Sequence, residues 1–491
     1  MNTTGSRLNA AKWPLISALL LIILAALVLL SPSLRDAVRP GEAGQRDGSQ
    51  AQEATLASFT TTSLSASAVG PPYLTGVSAN GRYFLDQYGA PFLVKGDAPW
   101  ALMTRLSADQ ARLWFANRQG YGYNTAVVSL IGTTANGGPA DDGATYDGIR
   151  PFIGSDVTRW NSTYWQRAHD YVRFAAERGI TVLLYPIDGW TIGKSFSPTS
   201  FDQCRSYGAS VADHFRDLPN IVWMSGGDYY PTNRDATTGS NADKCITAMV
   251  DGIRSRGDNR LFSIQLGYPK ELSTDDPYWA PRIRWNFSYS YSPAYRDVLR
   301  GYDQIPARPV VMGESNYEGE NLDPDSKPTT VQSLRRQVLW SLTSGAAGDI
   351  AGSRDWKFDA GWERRLDSAA VAQISMIRRL ASTGPWWELV PDRALITWGW
   401  GTPLANDSEA DVLDNDFATA ARSTDGRRAV LYVPTARTMG LDLSRMRSGA
   451  RGSWIDPTTG RSRAMSLSAT VTTPGPNAAG DQDWILLLTA P

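Results

Sequence analysis

Short apolar runs alternate with stretches of helical periodicity from Tyr73 onward. The runs are PFLVKGD (91–97), NTAVVSLIG (124–132), ITVLLYPID (180–188), NIVWMSGGD (220–228), RLFSIQLG (260–267), IRWNFSYSYS (283–292), RPVVMGES (308–315) and AAGDIAGSRDW (346–356). Helical stretches are predicted near 107–120, 161–178, 200–216, 241–255, 329–344 and 367–383, with short connections after the fifth and sixth runs. Unbroken hydrophobicity within a run indicates a parallel strand buried on both faces.

Eight such units in succession predict a closed (β/α)8 barrel spanning residues 73–393. A doubly wound open sheet is the alternative, and it is weakened because no nucleotide-binding glycine pattern occurs in the sequence. A small hairpin with turns at 80–81 and 87–89 precedes the first run. After Pro391 the pattern changes to short strand-like runs separated by turns, which predicts an all-β sandwich over residues 394–491 that packs on the barrel.

The N-terminus contains an uncharged run of 18 residues, from 13 to 30. This length is at the lower end of what crosses a bilayer, so residues 1–34 are predicted to be an uncleaved membrane anchor. Secretion after signal-peptide cleavage is the alternative, although no convincing cleavage site follows the run. Residues 35–72 are rich in Ser, Thr, Ala and Gly, which predicts a flexible linker to an extracellular catalytic part.

Composition narrows the possible chemistry. The 48 basic and 49 acidic residues give a formal net charge of -1, so no nucleic-acid partner is expected. The only histidines, His169 and His214, lie in helical patterns, which disfavours a histidine-based triad or zinc site. No metal or cofactor is predicted, and no pattern predicts an oligomeric state. Cys204 and Cys245 form a disulfide if the chain is exported, an alternative that the sequence leaves open.

The sequence also carries 18 Trp, 20 Tyr and 13 Phe, and such aromatic rings can stack on sugars. In a barrel the active site lies at the carboxyl ends of the strands, so polar and aromatic residues that follow each run are candidates. They are Asp97 and Trp100, Asp188 and Trp190, Asp228, Tyr289 and Tyr291, Glu314, and Arg354, Asp355 and Trp356. A ring of carboxylates and aromatics of this kind is typical of glycosidic bond hydrolysis. In that reaction one carboxyl group protonates the leaving oxygen, while another attacks the anomeric carbon or activates water.

Asp228 and Glu314 are the predicted catalytic pair. Each ends a buried run and follows glycine, which allows a substrate to approach the backbone closely. Acids on the fourth and seventh strands are also the arrangement of many retaining barrel glycosidases, an argument from fold analogy. The other nine candidates are predicted to contact the substrate.

Several segments resemble the apiosidase-like glycoside hydrolases, which often carry a C-terminal domain described as collagen-binding. The matching segments are NGRYFLDQYGAPFLVKGDAPW (80–100), PNIVWMSGGD (219–228), PVVMGESNYEG (309–319), SGAAGDIAGSRDWKF (344–358), GPWWELVPD (384–392), LYVPTARTMGLDLS (431–444), WIDPTTGR (454–461) and DWILLL (483–488). The resemblance implies an aspartate general acid at Asp228 and a glutamate nucleophile at Glu314. It also implies a polysaccharide substrate with apiosyl residues. The excess of Arg over Lys in the composition extends the expected sugars to arabinofuranosyl residues of a cell wall.

Two other classes of function are weighed against this hypothesis. A catalytically silent carbohydrate-binding or adhesion protein would have no need to keep both carboxylates. A metal-dependent hydrolase would use Asp97, Asp188 and Asp355, but it would lack the histidine ligands that such sites commonly use.

Overall fold

The computed structural model describes residues 70–197, 199–229, 238–267, 272–320, 329–405 and 411–491. The predicted membrane anchor, and the predicted linker as far as residue 69, lie outside these ranges. Within the ranges, no helix combines the length and the apolar character needed to cross a bilayer.

The described elements follow the chain in this order. The strands are β1 (Leu74–Val77), β2 (Phe84–Asp86), β3 (Pro91–Phe92), β4 (Val94–Asp97), β5 (Thr125–Ser129), β6 (Thr181–Asp188), β7 (Ile221–Tyr229), β8 (Phe262–Leu266), β9 (Asn286–Tyr289), β10 (Val310–Glu314), β11 (Gly348–Ala351), β12 (Leu389–Pro391), β13 (Ile396–Trp398), β14 (Thr419–Ser423), β15 (Arg428–Val433), β16 (Thr438–Leu441), β17 (Arg451–Ile455), β18 (Ser462–Met465), β19 (Thr470–Thr472) and β20 (Trp484–Thr489). The helices are α1 (Leu102–Arg105), α2 (Ala108–Gly120), α3 (Ser162–Glu177), α4 (Phe201–His214), α5 (Asn241–Ser255), α6 (Tyr295–Tyr302), α7 (Val331–Thr343) and α8 (Ala369–Ala381).

Strands β4 to β11 form one parallel sheet with the order β8-β7-β6-β5-β4-β11-β10-β9. Each strand comes from one of the eight predicted runs, so the barrel prediction is confirmed. Every residue of β5 and β6 is buried, which explains their unbroken hydrophobicity.

The barrel closes between β8 and β9 through side chains rather than a regular ladder. Ser263 Oγ donates to the carbonyl of Trp285 at 2.7 Å. Ser273 lies in a short 3₁₀ turn after β8, and its hydroxyl accepts the N–H of Phe287 at 2.9 Å. The connection that was predicted to be short therefore helps to join the two edge strands.

A three-stranded antiparallel sheet, β1-β2-β3, precedes the barrel strands. It forms where the hairpin turns were predicted, and Leu74, Phe84 and Phe92 from it join the hydrophobic core inside the barrel. Phe84 lies 5.7 Å from the ring of Trp285. Because β3 leads directly into β4, this small sheet covers the amino-terminal end of the barrel, opposite the mouth where polar strand ends collect.

The predicted helices form close to their predicted positions, and α2 begins at the expected cap. The Ser107 hydroxyl accepts the N–H of Gln110, and the Gln110 side chain accepts the N–H of Ser107. Two helices were missed, namely the single turn α1 and α6, which replaces the short connection predicted after the sixth run. Helix α6 has only eight residues, too few for hydrophobic periodicity to distinguish it from a turn.

Helices α4 and α5 are joined by a disulfide between Cys204 and Cys245. The two helices can lie this close because each presents a glycine to the other. A Cβ at Gly208 would lie 2.0 Å from the Met249 carbonyl oxygen, and one at Gly252 would lie 2.0 Å from that of Arg205. The alternative that the sequence left open is therefore resolved in favour of the bond.

The C-terminal part is a pair of antiparallel sheets, β12-β14-β15-β20-β17-β18 and β13-β16-β19, which share one hydrophobic core. A second apolar cluster joins this sandwich to α7 and α8 of the barrel. At its edge Arg335 of α7 makes two hydrogen bonds to Asp483, at 2.8 and 2.7 Å, and both side chains are almost completely buried. The sandwich therefore packs on the barrel through apolar contacts and a buried ion pair.

Candidate active site

Asp228 and Glu314 lie at the carboxyl ends of the fourth and seventh barrel strands, β7 and β10. Both ends belong to the same mouth of a parallel barrel. Glu314 is 7% exposed, and burial together with the nearby charge of Asp228 raises its pKa well above the ordinary value. Two acids that influence each other in this way titrate as a pair and hold one proton between them over an intermediate pH range.

The backbone around Asp228 has an unusual conformation. Gly226, Gly227 and Asp228 have φ values of 91°, 81° and 45°, and the register of β7 against β8 shifts between Gly226 and Tyr229. A Cβ at Gly226 would lie 1.9 Å from the carbonyl oxygen of Gln265. The bulge leaves Asp228 exposed at the mouth, yet enough protein surrounds its carboxyl group for desolvation to raise its pKa.

Glu314 accepts hydrogen bonds on both of its oxygens. Gln265 Nε2 donates to Oε2 at 2.5 Å, and the Tyr291 hydroxyl donates to Oε1 at 3.4 Å. The Tyr185 hydroxyl in turn donates to Gln265 Oε1 at 3.0 Å, which fixes the orientation of the amide. Gln265 and Tyr185 are completely buried.

Sequence reasoning missed Gln265 and Tyr185 because it considered only residues that follow each run. Both residues lie inside a run and point into the barrel. A signal was present, since Gln265 is an amide in an otherwise apolar part of RLFSIQLG. A buried amide in a barrel strand needs partners, and here one partner is a catalytic candidate.

Replacing Gln265 with leucine is expected to move the acidic limb of the kcat/KM profile to higher pH by about one unit. The bond from Gln265 favours the ionised form of Glu314, so its loss raises the pKa of Glu314 further. The measurement is a pH–rate profile, with Tyr317→Phe as the control because Tyr317 is buried but does not bond to Glu314. An acidic limb that stays in place would show that Gln265 has no influence on Glu314.

Aromatic side chains line the same mouth. Trp100 Nε1 donates to the Tyr317 hydroxyl at 2.9 Å, and the Trp100 ring lies 4.9 Å from that of Tyr185 and 5.6 Å from that of Trp190. A Cβ at Gly227, next to Asp228, would lie 2.7 Å from the Trp190 ring. The predicted residues Trp100 and Trp190 therefore form an aromatic wall beside the acids.

The predicted residue Trp356 bonds to Glu320, a glutamate of the mouth that was not among the predicted site residues. Its Nε1 donates to Glu320 Oε1 at 2.6 Å. The charge of Glu320 contributes to the raised pKa values of both Glu314 and Tyr291. Trp356 is partly buried and packs against the core inside the barrel.

The two predicted tyrosines lie at the end of the sixth barrel strand and contact each other. Their hydroxyl oxygens are 2.6 Å apart and their ring planes are at 88°. Tyr289 is 3% exposed, whereas Tyr291 is 40% exposed at the mouth. Tyr291 is therefore accessible to a substrate, while Tyr289 lies behind it.

Four of the predicted contact residues are three aspartates held by other protein side chains and one exposed arginine. Their contact with the substrate stays a prediction. Asp97 forms a buried ion pair with Arg118 of α2, with Arg118 Nε 2.5 Å from Asp97 Oδ2. Asp355 accepts two hydrogen bonds from Arg365 at 2.8 and 3.0 Å. Arg354 is exposed beside Gly319. Arginine side chains therefore hold both of these aspartates.

Asp188 is the fourth of these residues, and it is fully buried. Its Oδ2 accepts hydrogen bonds from Ser129 at 2.7 Å and from Asn136 at 2.8 Å. Asn136 belongs to the long loop that follows β5, so Asp188 ties this loop to β6. Burial raises the pKa of Asp188.

The three acids considered for a metal-dependent hydrolase do not form one cluster. Asp97 and Asp355 line the same small pocket beside Arg118, whereas Asp188 bonds to Ser129. Over the described part of the chain, no group of three or more His, Cys, Asp or Glu side chains is arranged to hold a metal ion. His169 and His214 lie on α3 and α4.

A parallel eight-stranded barrel with paired acids at the ends of its fourth and seventh strands and an aromatic wall beside them has the features of a glycoside hydrolase. Residues 78–388 match the family described as "Apiosidase-like, catalytic domain". The chain belongs to this family, and it is a glycosidase. Residues 404–489 match the family described as "Putative collagen-binding domain of a collagenase".

Solved structures share the fold. One glycoside hydrolase is 21% identical, with a TM-score of 0.71, and the alignment covers 86% of this chain and 97% of that one. A family 5 glycoside hydrolase from Bacteroides vulgatus ATCC 8482 is 20% identical, also with a TM-score of 0.71, over 85% of this chain and 93% of that one. At these identities the likeness establishes the fold alone. No curated protein sequence matches the chain.

Proposed function

We propose that the chain hydrolyses glycosidic bonds in plant or microbial cell-wall polysaccharide, with net retention of anomeric configuration, and that it releases apiosyl or arabinofuranosyl residues. Glu314 is the nucleophile and Asp228 is the general acid and base. The observation that carries the proposal is the environment of Glu314, a buried carboxylate at the barrel mouth that accepts hydrogen bonds from Gln265 and Tyr291. These bonds hold one carboxylate oxygen in a fixed orientation for attack.

The reaction follows from the positions of the two acids. Asp228 protonates the leaving oxygen while a Glu314 oxygen attacks the anomeric carbon, which gives a covalent glycosyl-enzyme. Asp228 then removes a proton from water, which attacks the same carbon and releases Glu314. The raised pKa of Asp228 suits its first role, because it keeps the carboxyl group protonated at higher pH than an ordinary aspartate.

The aromatic wall supports a sugar as the substrate. Trp100 and Trp190 meet edge to face, at 85°, so the two rings offer surfaces of different orientation beside Asp228. Tyr291 and Trp356 are the other predicted contact residues at the mouth, and both are partly accessible. Sugar rings have apolar C–H faces and polar edges, which such a mixture of indoles and phenols can bind.

The experiment is a release assay with the full chain on three polysaccharides, namely pectin with apiosyl side chains, plant arabinan and mycobacterial-type arabinogalactan. Mannan, which has no furanosyl residues, is the control substrate. We expect a furanose to be released from at least one of the three, and proton NMR of the first product to show the anomer of the substrate bond. An inverted product would contradict the covalent step. Binding without release would favour the silent carbohydrate-binding protein.

We further propose that residues 1–34 hold the enzyme in the cell membrane with its catalytic part outside the cell. The Cys204–Cys245 bond supports this proposal, because disulfides persist mainly in oxidising compartments. Carbonate-washed membranes are expected to retain the full chain and to lose a variant that lacks residues 1–34. Release of both proteins would favour secretion after signal-peptide cleavage.

A further inference from the structure

A cavity of about 120 Å³ lies between the barrel and the C-terminal sandwich. Its barrel wall comes from the carboxyl-terminal halves of α7 and α8 and from the connection between β1 and β2, and strands β15 and β20 contribute to its sandwich wall. Neither Asp228 nor Glu314 lines it. The cavity is therefore separate from the mouth that holds the two acids.

The sandwich wall of the cavity follows from the alternation of side chains along its strands. Leu486 of β20 belongs to the core of the sandwich, whereas its neighbour Leu487 packs against the apolar cluster shared with the barrel. On the adjacent strand β15, Val430 pairs with Leu487 and belongs to the same cluster. Because side chains two residues apart lie on the same face of a strand, Arg428 shares the barrel-facing side with Val430.

Most of the cavity lining is aliphatic. Leu342 of α7 and Leu380 of α8 face the cavity and are half-buried. Trp386 and Trp387, which follow α8, also line it, and the centres of their rings are 6.1 Å apart. Such a lining favours an apolar ligand over water, since a buried water molecule needs several polar partners.

Two arginines bring positive charge to this apolar cavity. Among the described residues that line it, Arg82 and Arg428 are charged, and none is an aspartate or a glutamate. Arg82 already has partners, because it donates to the carbonyl of Tyr302 and its guanidinium lies 4.1 Å from the centre of the Tyr302 ring. The cavity therefore combines aliphatic walls with an excess of positive charge.

Arg428 is the arginine whose hydrogen-bonding capacity is not filled. Its Nε is buried and has no hydrogen-bond partner in the described structure, and its Nη2 makes one long bond, of 3.4 Å, to Thr383 Oγ1. Burial alone lowers the pKa of Arg428, with no contribution from a neighbouring acid. Arg335, in the same contact between barrel and sandwich, has Asp483 as its counter-ion. A buried donor without an acceptor costs free energy, and a bound anion removes this cost.

We propose that the cavity binds a medium-chain carboxylate, with its carboxylate on Arg428 and its alkyl chain among the aliphatic side chains. An apolar cavity of about 150 Å³ holds a benzene molecule, so this one suits an alkyl chain of about six to eight carbons. A guanidinium presents two parallel N–H donors, which match the two oxygens of a carboxylate. The single available guanidinium matches the single negative charge of the ligand.

The test is calorimetric titration of the full chain with octanoate. Octanol and octylamine have the same alkyl chain with a neutral and a cationic head, and they are the control ligands. We expect octanoate to bind at least about tenfold more tightly than octanol, and octylamine not to bind. From butanoate through hexanoate to octanoate, affinity is expected to rise about tenfold with each two added CH₂ groups, because each buries more apolar surface.

Arg428→Met keeps an unbranched apolar side chain and removes the guanidinium. It is expected to weaken octanoate binding about ten- to a hundredfold and to leave octanol binding unchanged. Without ligand, this variant is expected to unfold at a temperature no lower than the wild type, because it loses an unsatisfied buried donor. A purely structural role of Arg428 predicts the opposite shift.

Arg427→Met is the matched control. Arg427 is the exposed neighbour of Arg428 and forms a surface pair with Asp425, at 3.3 Å, so its variant is expected to bind octanoate like the wild type. Three outcomes would each overturn the proposal: no binding of octanoate, equal affinities for octanoate and octanol, or equal octanoate affinities of the wild type and the Arg428 variant.

Discussion

Replacing Glu314 with glutamine is expected to lower kcat/KM for the released furanoside by at least about 10⁴-fold, because a neutral amide cannot attack the anomeric carbon. The change keeps the size and the planar shape of the side chain. The loss should therefore appear in kcat, while binding of the polysaccharide is retained. Initial rates of sugar release and affinity electrophoresis in polysaccharide gels measure the two quantities separately.

Glu320→Gln is the matched control for this substitution. Glu320 belongs to the same mouth and undergoes the same chemical change, but its carboxylate accepts a bond from Trp356. We expect a loss of less than about tenfold, which is typical of a single weakened contact. A Glu320 variant as inactive as the Glu314 variant would require the nucleophile to be reassigned.

Arg335→Met is expected to lower the free energy of unfolding by about 3–5 kcal/mol, since it leaves the buried carboxylate of Asp483 without its cation. The pair joins α7 of the barrel to the C-terminal sandwich, and Arg335 Nη1 also bonds to Gln373 of α8, at 2.7 Å. Urea unfolding followed by tryptophan fluorescence gives the change through the midpoint and the slope.

A surface pair provides the comparison. Arg112 lies 3.5 Å from Glu177, and both side chains are nearly half exposed, so Arg112→Met is expected to change the unfolding midpoint little. If the Arg335 variant also unfolded at the wild-type midpoint, the buried pair would not contribute to the contact between barrel and sandwich. Two separate transitions in that variant would show that the pair couples their unfolding.

The eight barrel strands could be predicted because burial on both faces leaves a clear pattern. VVSLI and TVLLYPI are almost entirely apolar, as is typical of a strand covered on both sides. Helix α6 could not be predicted, since eight residues provide barely two turns. The pairing of Cys204 with Cys245 depends on glycines in α4 and α5, whose effect appears only when the helices meet.

The positions of the two acids could be predicted, but their surroundings could not. Position at the end of a strand does not show which way a side chain points. Asp97 ends β4 as Glu314 ends β10, yet Asp97 turns to Arg118 of the outer helix layer. Gln265 lies within its strand and reaches Glu314 at a separation of 49 residues. Contacts between distant residues of this kind leave no local pattern.

The left-handed backbone at residue 228 restricts which acid the fourth strand can carry. Asparagine and aspartate enter this region more readily than other residues with a side chain, because their short polar groups can bond locally to the backbone. Glutamate there would cost about 1–2 kcal/mol in backbone strain. The two glycines and the bulge therefore select the shorter acid. Asp228→Asn is accordingly the substitution that removes the charge and preserves the path of the chain.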